Sequence, residues 1–258
     1  MDYLVWNPDP VLIAFMGLKV HWYGLLFASA ILTGFHMIKW IFEKENVDLE
    51  KLDIGFIYVF VGIVVGARLG HCLFYDPAYY LSNPLKILAV WEGGLASHGG
   101  GLGVIIALYI FTKKYKINLL WLLDRVSIST IIFAFFVRMG NFMNSEILGT
   151  QTDVSWAIIF SRVDLLPRHP AQLYEAFSYF LIFFVLLAIY IKQDGKTKNG
   201  QIFGIFLTLV FSVRIIVEFF KVKQASYASE FLISTGQMLS VPFLLIGLWL
   251  IFYSMKKK

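Results

Sequence analysis

Seven stretches of this chain stay apolar for about the twenty residues that a helix needs to cross a bilayer. They run roughly 21–41, 54–74, 97–112, 121–140, 171–191, 201–220 and 231–253, the third being short and rich in glycine. Lipid gives an exposed backbone no hydrogen bonds, so runs of this length become helices. The expected fold is an all-α polytopic membrane protein of about seven transmembrane helices, with a small external cap of short strands and loops. Only 15% of the 258 residues are charged, against roughly 25% in an ordinary soluble domain. The 25 Phe, 13 Tyr and 7 Trp exclude a solvated, disordered chain. A single cysteine, Cys72, excludes a disulfide framework and a thiolate zinc site, and a small buried residue is expected there. Val11 to Val20 is apolar but too short to cross, and is expected at the interface. Met1-Asp2-Tyr3 has no basic flank and no small-residue cleavage site, so no removable signal peptide is expected.

The formal charge of +5 is dispersed between apolar runs, which argues against a nucleic-acid surface. With seven spans, Lys39, Lys44, Lys51, Lys113, Lys114, Lys116, Arg125, Lys192, Lys196, Lys198, Lys256, Lys257 and Lys258 share one side. Lys19, Lys86, Arg162, Arg168, Lys221 and Lys223 share the other. Thirteen basic residues against six place the N-terminus outside and the C-terminus in the cytoplasm. Residues 1–258 read as one integral membrane domain with an external cap insertion at about 144–169. Inside the cap, Ser155 to Ser161 reads as a short strand.

Ionisable groups inside spans are expensive, so each needs a partner or a job. Arg214 and Glu218 are four residues apart on one helix face. They read either as an internal ion pair or as a guanidinium oriented by Glu218 to grip an anion. Arg138, Asn141, Asn144 and Glu146 gather at the outer end of the fourth span, more polar groups than a helix cap requires. Arginine there suits bidentate recognition of a lipid phosphate. His98 opens the third span beside Gly99, Gly100, Gly101 and Gly103, and reads as an acid or base or as a residue that caps the helix. Gly62, Gly66 and Gly70 form a small-residue stripe for close helix packing. Arg68 and His71 stand on different faces of that helix, either able to snorkel outward. His169 begins the fifth span. There is no His-Glu-x-x-His, no Gly-x-Ser-x-Gly and no aspartate cluster, so no metal site or cofactor is expected.

Taken together the motifs resemble those of bacterial prolipoprotein diacylglyceryl transferases. They are His21-Trp-Tyr-Gly24, Gly66-Ala-Arg-Leu-Gly70, Trp91-Glu-Gly-Gly94, His98-Gly-Gly, the Arg138–Glu146 block, Arg168-His-Pro-x-Gln-Leu-Tyr-Glu175 and Arg214-Ile-Ile-Val-Glu-Phe-Phe220. They occur in the family's order over nearly the whole chain, and the Arg138–Glu146 block is the most specific.

The resemblance implies a bacterial inner-membrane enzyme acting on phosphatidylglycerol and on the lipobox cysteine of a prolipoprotein signal peptide. The diacylglyceryl group would move to that thiol as a thioether, releasing glycerol phosphate. By position, Tyr23, His98, Arg138, Asn141, Glu146, Gly149, Arg214 and Glu218 match residues the family needs. His98, Arg138 and Arg214 are the catalytic candidates. Tyr23, Asn141, Asn144, Glu146, Gly149 and Glu218 are the substrate-binding candidates. The expected partners are the lipid bilayer and these two substrates, with the protein a monomer. Gly101 stands where the family usually has a larger apolar residue, Lys221 replaces a frequent Arg, and Val210 replaces a Tyr found in some members. On the residues alone two other classes remain: a transporter or channel for an anionic solute lined by Arg138 and Arg214, and a non-catalytic lipid or signal-peptide receptor.

Overall fold

The computed structural model describes residues 3–15, 17–222 and 234–256; the side chains at 97, 98 and 235 lie outside the described set. The apolar runs form helices α1 (Trp22–Lys44), α2 (Leu49–Phe74), α4 (Ser97–Tyr115), α5 (Leu119–Met143), α6 (Ala171–Lys192), α7 (Gln201–Glu218) and α8 (Thr235–Lys256), with a short α3 (Pro77–Ser82) after α2. Among the described residues six of these, all but α3 and α4, are long and apolar enough to cross a membrane. By that measure the expected seven spans number six. The protein is a multi-pass helical membrane protein.

The contacts divide the chain into two compact units, Met1–Ile41 with Leu123–Lys258, and Phe42–Leu122. In the first, Ile41, Ile128, Ile131, Tyr179, Leu186 and Ile202 are buried together where α1, α5, α6 and α7 pack. The opposite faces carry exposed side chains such as Phe177, Leu181 and Ile216, as helices surrounded by lipid require. Two charged residues are fully buried near the start of α5, and both have partners. Asp124 accepts the N–H groups of Gly200 and Phe203 at 2.8 Å each, capping α7 from a neighbouring helix. Arg125 donates to the Gly195 carbonyl at 2.8 Å. Together they fix the α6–α7 turn.

Among the described residues five short strands lie outside the helices: β1 (Leu4–Trp6), β2 (Val11–Phe15), β3 (Leu18–His21), β4 (Ile158–Phe160) and β5 (Pro167–Arg168). β2 and β3 form a hairpin, so the segment expected merely to lie at an interface is an ordered β-ribbon with exposed apolar side chains. β4 falls inside the stretch expected to be a strand. It pairs parallel with β1, Leu4 opposite Ile158, and antiparallel with β5. Trp6 stacks on Phe142 with ring centroids 4.3 Å apart and donates its indole N–H to the Phe142 carbonyl at 3.1 Å. This seats the strands on the end of α5.

In the second unit α2 and α4 pack along their glycines. A Cβ at Gly62 would lie 2.6 Å from the Gly103 carbonyl oxygen, and one at Gly70 would lie 2.8 Å from the Gly99 Cα. Gly99 and Gly103 are therefore the partners of the α2 stripe, whereas Gly101 faces open space. Arg68 does not snorkel outward. It is 3% exposed and donates to the carbonyls of Ile87 at 2.9 Å and of Lys86 and Gly93 at 2.5 Å each. The loop that follows α3 is thereby wrapped around one guanidinium. Cys72 is buried, as expected of a small helical residue.

Candidate active site

Arg138 and Asn141 are three residues apart on α5, so they share a face, and Arg138 Nη1 donates to Asn141 Oδ1 at 3.2 Å. Beyond Met143 the chain turns back through Ser145 (φ 56°) and Ile147 (φ 57°), two non-glycine residues in the left-handed region. Such a conformation costs about 1–3 kcal/mol per residue, and for β-branched Ile147 it is a true outlier. The turn delivers Glu146. Its carboxylate accepts Asn141 Nδ2 and Asn144 Nδ2, each at 3.1 Å. Four of the predicted residues, Arg138, Asn141, Asn144 and Glu146, thus form one hydrogen-bonded chain.

Helix α6 supplies the rest of the centre. Gln172 and Glu175 are three apart on its inner face, both with 0% exposure. Gln172 Nε2 donates to the Glu146 backbone carbonyl at 2.5 Å. Glu175 Oε2 lies 2.9 Å from Arg138 Nε, and Glu175 Oε1 accepts Lys221 Nζ at 2.9 Å. Burial holds the Lys221 ammonium below the usual lysine range, against the attraction of Glu175. Two buried side-chain oxygens of this neighbourhood, Ser145 Oγ and Gln172 Oε1, have no hydrogen-bond partner among the described residues, while Glu175 Oε2 is held by Arg138 as an ion pair. Buried polar atoms are ordinarily paired. The centre has spare hydrogen-bonding capacity, in acceptors more than donors.

Tyr23 on α1 lies against Gly140, where a Cβ would come within 2.9 Å of its ring. Gly149 occupies a backbone crossing. Its N–H donates to the His169 carbonyl at 3.1 Å, its carbonyl accepts Arg168 at 3.2 Å, and it bridges to Lys221. A Cβ there would strike His169 and lie 2.7 Å from the Phe220 carbonyl oxygen. Arg168 also grips Asp164 at 2.6 Å, holding that carboxyl below the usual range. His169 Nδ1 is 3.0 Å from the Tyr174 hydroxyl, which accepts Trp156 Nε1 at 2.9 Å. The direction of the His169–Tyr174 bond follows the tautomer of the ring, and burial holds the His169 imidazole below the usual histidine range.

One expectation changes and another falls outside the described residues. Arg214 and Glu218 do not pair: Glu218 lies 3.8 Å from Lys221 and against Gly236, and no ion pair to Arg214 is found among the described residues. Spacing of four on a helix permits a pair without requiring one. Arg214 sits one turn from Glu218 on α7. His98 lies in the first turn of α4, in the other unit, and its side chain lies outside the described set. Gln172, Glu175 and Lys221 are the residues that sequence reasoning missed. The available signal was a carboxylate five residues into an otherwise apolar helix.

Fold and site define a multi-pass membrane protein with a charged, hydrogen-bonded centre at one end of a helical unit. The model of the family described as prolipoprotein diacylglyceryl transferase matches residues 10–253. The chain is 52% identical to the phosphatidylglycerol–prolipoprotein diacylglyceryl transferase of Tolumonas auensis, over 99% of each chain. It is 46% identical to the protein of that name from Chloroherpeton thalassium, over 99% of this chain and 96% of the relative. For Bacteroides fragilis the identity is 44%, over 98% and 96%. The chain belongs to the prolipoprotein diacylglyceryl transferase family and is a membrane transferase. Nothing in these relationships supports a transporter.

Proposed function

We propose that this protein transfers the diacylglyceryl group of phosphatidylglycerol to the lipobox cysteine of a prolipoprotein. The cysteine sulfur attacks the glycerol carbon that bears the phosphate. A carbon–sulfur bond forms, the carbon–oxygen bond to phosphate breaks, and glycerol phosphate leaves while the thiol proton is lost. The nucleophile belongs to the substrate, so the enzyme must hold the phosphate and stabilise charge on the leaving group. Arg138 carries the reading: a guanidinium held by Glu175 through Nε and Nη2 and by Asn141 through Nη1, with N–H donors left over for an anion. Arg214 supplies a second donor fork, and Tyr23, Asn141, Asn144, Glu146, Gly149 and Glu218 shape the substrate site. His98 is assigned the thiol proton, since a neutral imidazole near pH 7 can accept what a thiol of pKa about 8.5 retains. The reading gives no step to a metal or cofactor.

The excess of basic residues on the loops after α1, α4 and α6 supports a bacterial inner-membrane location with the N-terminus outside and the C-terminus in the cytoplasm. The segment 144–169 is then an external cap on a single membrane domain. All the assigned residues lie on one chain, so a monomer suffices.

The test is incubation of the purified protein with phosphatidylglycerol and a lipobox peptide. The expected result is a peptide mass gain of one diacylglyceryl group, absent when the peptide cysteine is replaced by serine. A peptide of unchanged mass, with active lipid and folded protein, would sink the proposal.

A further inference from the structure

A carboxylate with no exposed surface survives only if its charge is matched. Glu175 is matched twice, by Arg138 at 2.9 Å on one oxygen and by Lys221 at 2.9 Å on the other. Two cations on one carboxylate leave a surplus positive charge. The second carboxylate near Lys221, Glu218, is at 3.8 Å and is partly exposed, so it offsets less of that surplus. The guanidinium meets Glu175 chiefly through Nε, and Nη1 is steadied by Asn141.

Resting on the phosphate role given above to Arg138, we propose that Glu175 and Lys221 are positioning residues for it. Glu175 fixes the guanidinium from its Nε edge. Lys221 takes up the carboxylate charge that would otherwise neutralise Arg138, which keeps Arg138 attractive to an anionic headgroup. Neither residue touches the reacting atoms. Lys221 follows α7 and reaches Glu175 on α6, so the pair also ties the anion site to the end of α7.

The experiment measures kcat and KM for phosphatidylglycerol, with the lipobox peptide saturating, in the purified full-length protein. Lys221→Met is expected to raise KM about tenfold with a smaller change in kcat, the signature of lost substrate attraction. Lys221→Arg should stay near the wild type. Glu175→Gln is expected to lower kcat and raise KM, because two like charges are then left side by side. The double variant Glu175→Gln/Lys221→Met should be less impaired than Glu175→Gln alone. Thermal melting in detergent separates these effects from loss of assembly. Should Glu175→Gln fail to assemble, the contrast between Lys221→Met and Lys221→Arg decides. A wild-type KM in assembled Lys221→Met overturns the proposal, as does equal impairment by Met and Arg. Arg138→Ala separates the two levels: wild-type kcat/KM in that variant removes the phosphate role itself, whereas impairment there with Lys221→Met unchanged removes only the positioning role.

Discussion

Arg138 is the residue on which most of the chemistry converges, and its neighbours explain why an arginine is needed. A planar fork can meet Glu175 through Nε and Nη2 and Asn141 through Nη1 and keep donors for a phosphate, whereas an ammonium is a single point of charge. Arg138→Ala is therefore expected to cost roughly 2–4 kcal/mol of transition-state stabilisation, the value of one donor at a developing oxyanion. Arg138→Lys should recover little of it. Single-turnover rates with the lipobox peptide check both, and a lysine variant at wild-type rate would refute the forked contact. The Arg138–Glu146 block was legible in sequence because its polar groups are local and outnumber what a helix end uses. Glu175 and Lys221 were not, since their meaning lies in a contact across 46 residues of chain. Arg214 and Glu218 misled for the converse reason: periodicity gives which residues share a face, and tertiary packing decides which of them meet.

Among elements, the α2–α4 pair has the least tolerance. Gly62, Gly66 and Gly70 were readable as a packing stripe, but which of the glycines after His98 face that stripe was not. The structure assigns Gly99 and Gly103 to the stripe's partner face and leaves Gly101 open. Gly103→Leu should separate the helices, at more than the roughly 1–3 kcal/mol of an ordinary overpacked core, because the obstructing atoms are backbone. Gly101→Leu should be tolerated, as nothing lies within 4 Å of its Cβ position. Melting temperatures of the two variants in one detergent give the comparison, and equal values would contradict this packing. The short strands were harder to foresee. Three-residue strands carry almost no periodic signal, and β1 finds its partner far along the chain.

For the whole molecule, the long spans were legible because bilayer thickness dictates their length, and the number of crossings was the part left open. Reporter fusions after Lys116 and Lys198 should register cytoplasm, and one near Thr152 the outside. A fusion at Lys116 that reports the outside would mean that α4 turns back without crossing. The pairing of β1 with β4 bears on that same count through parity. Two strands can hydrogen-bond only if both stand on one side of the membrane, so the chain between them must cross an even number of times. Between Trp6 and Ile158 lie α1, α2 and α5, which are three apolar helices of spanning length, and α4. At about 1.5 Å per residue, the 19 residues of α4 reach about 28 Å, close to the thickness of the hydrocarbon layer. With α1, α2 and α5 crossing, the six paired residues of β1 and β4 predict that the glycine-rich α4 also crosses, as the third of four spans between them.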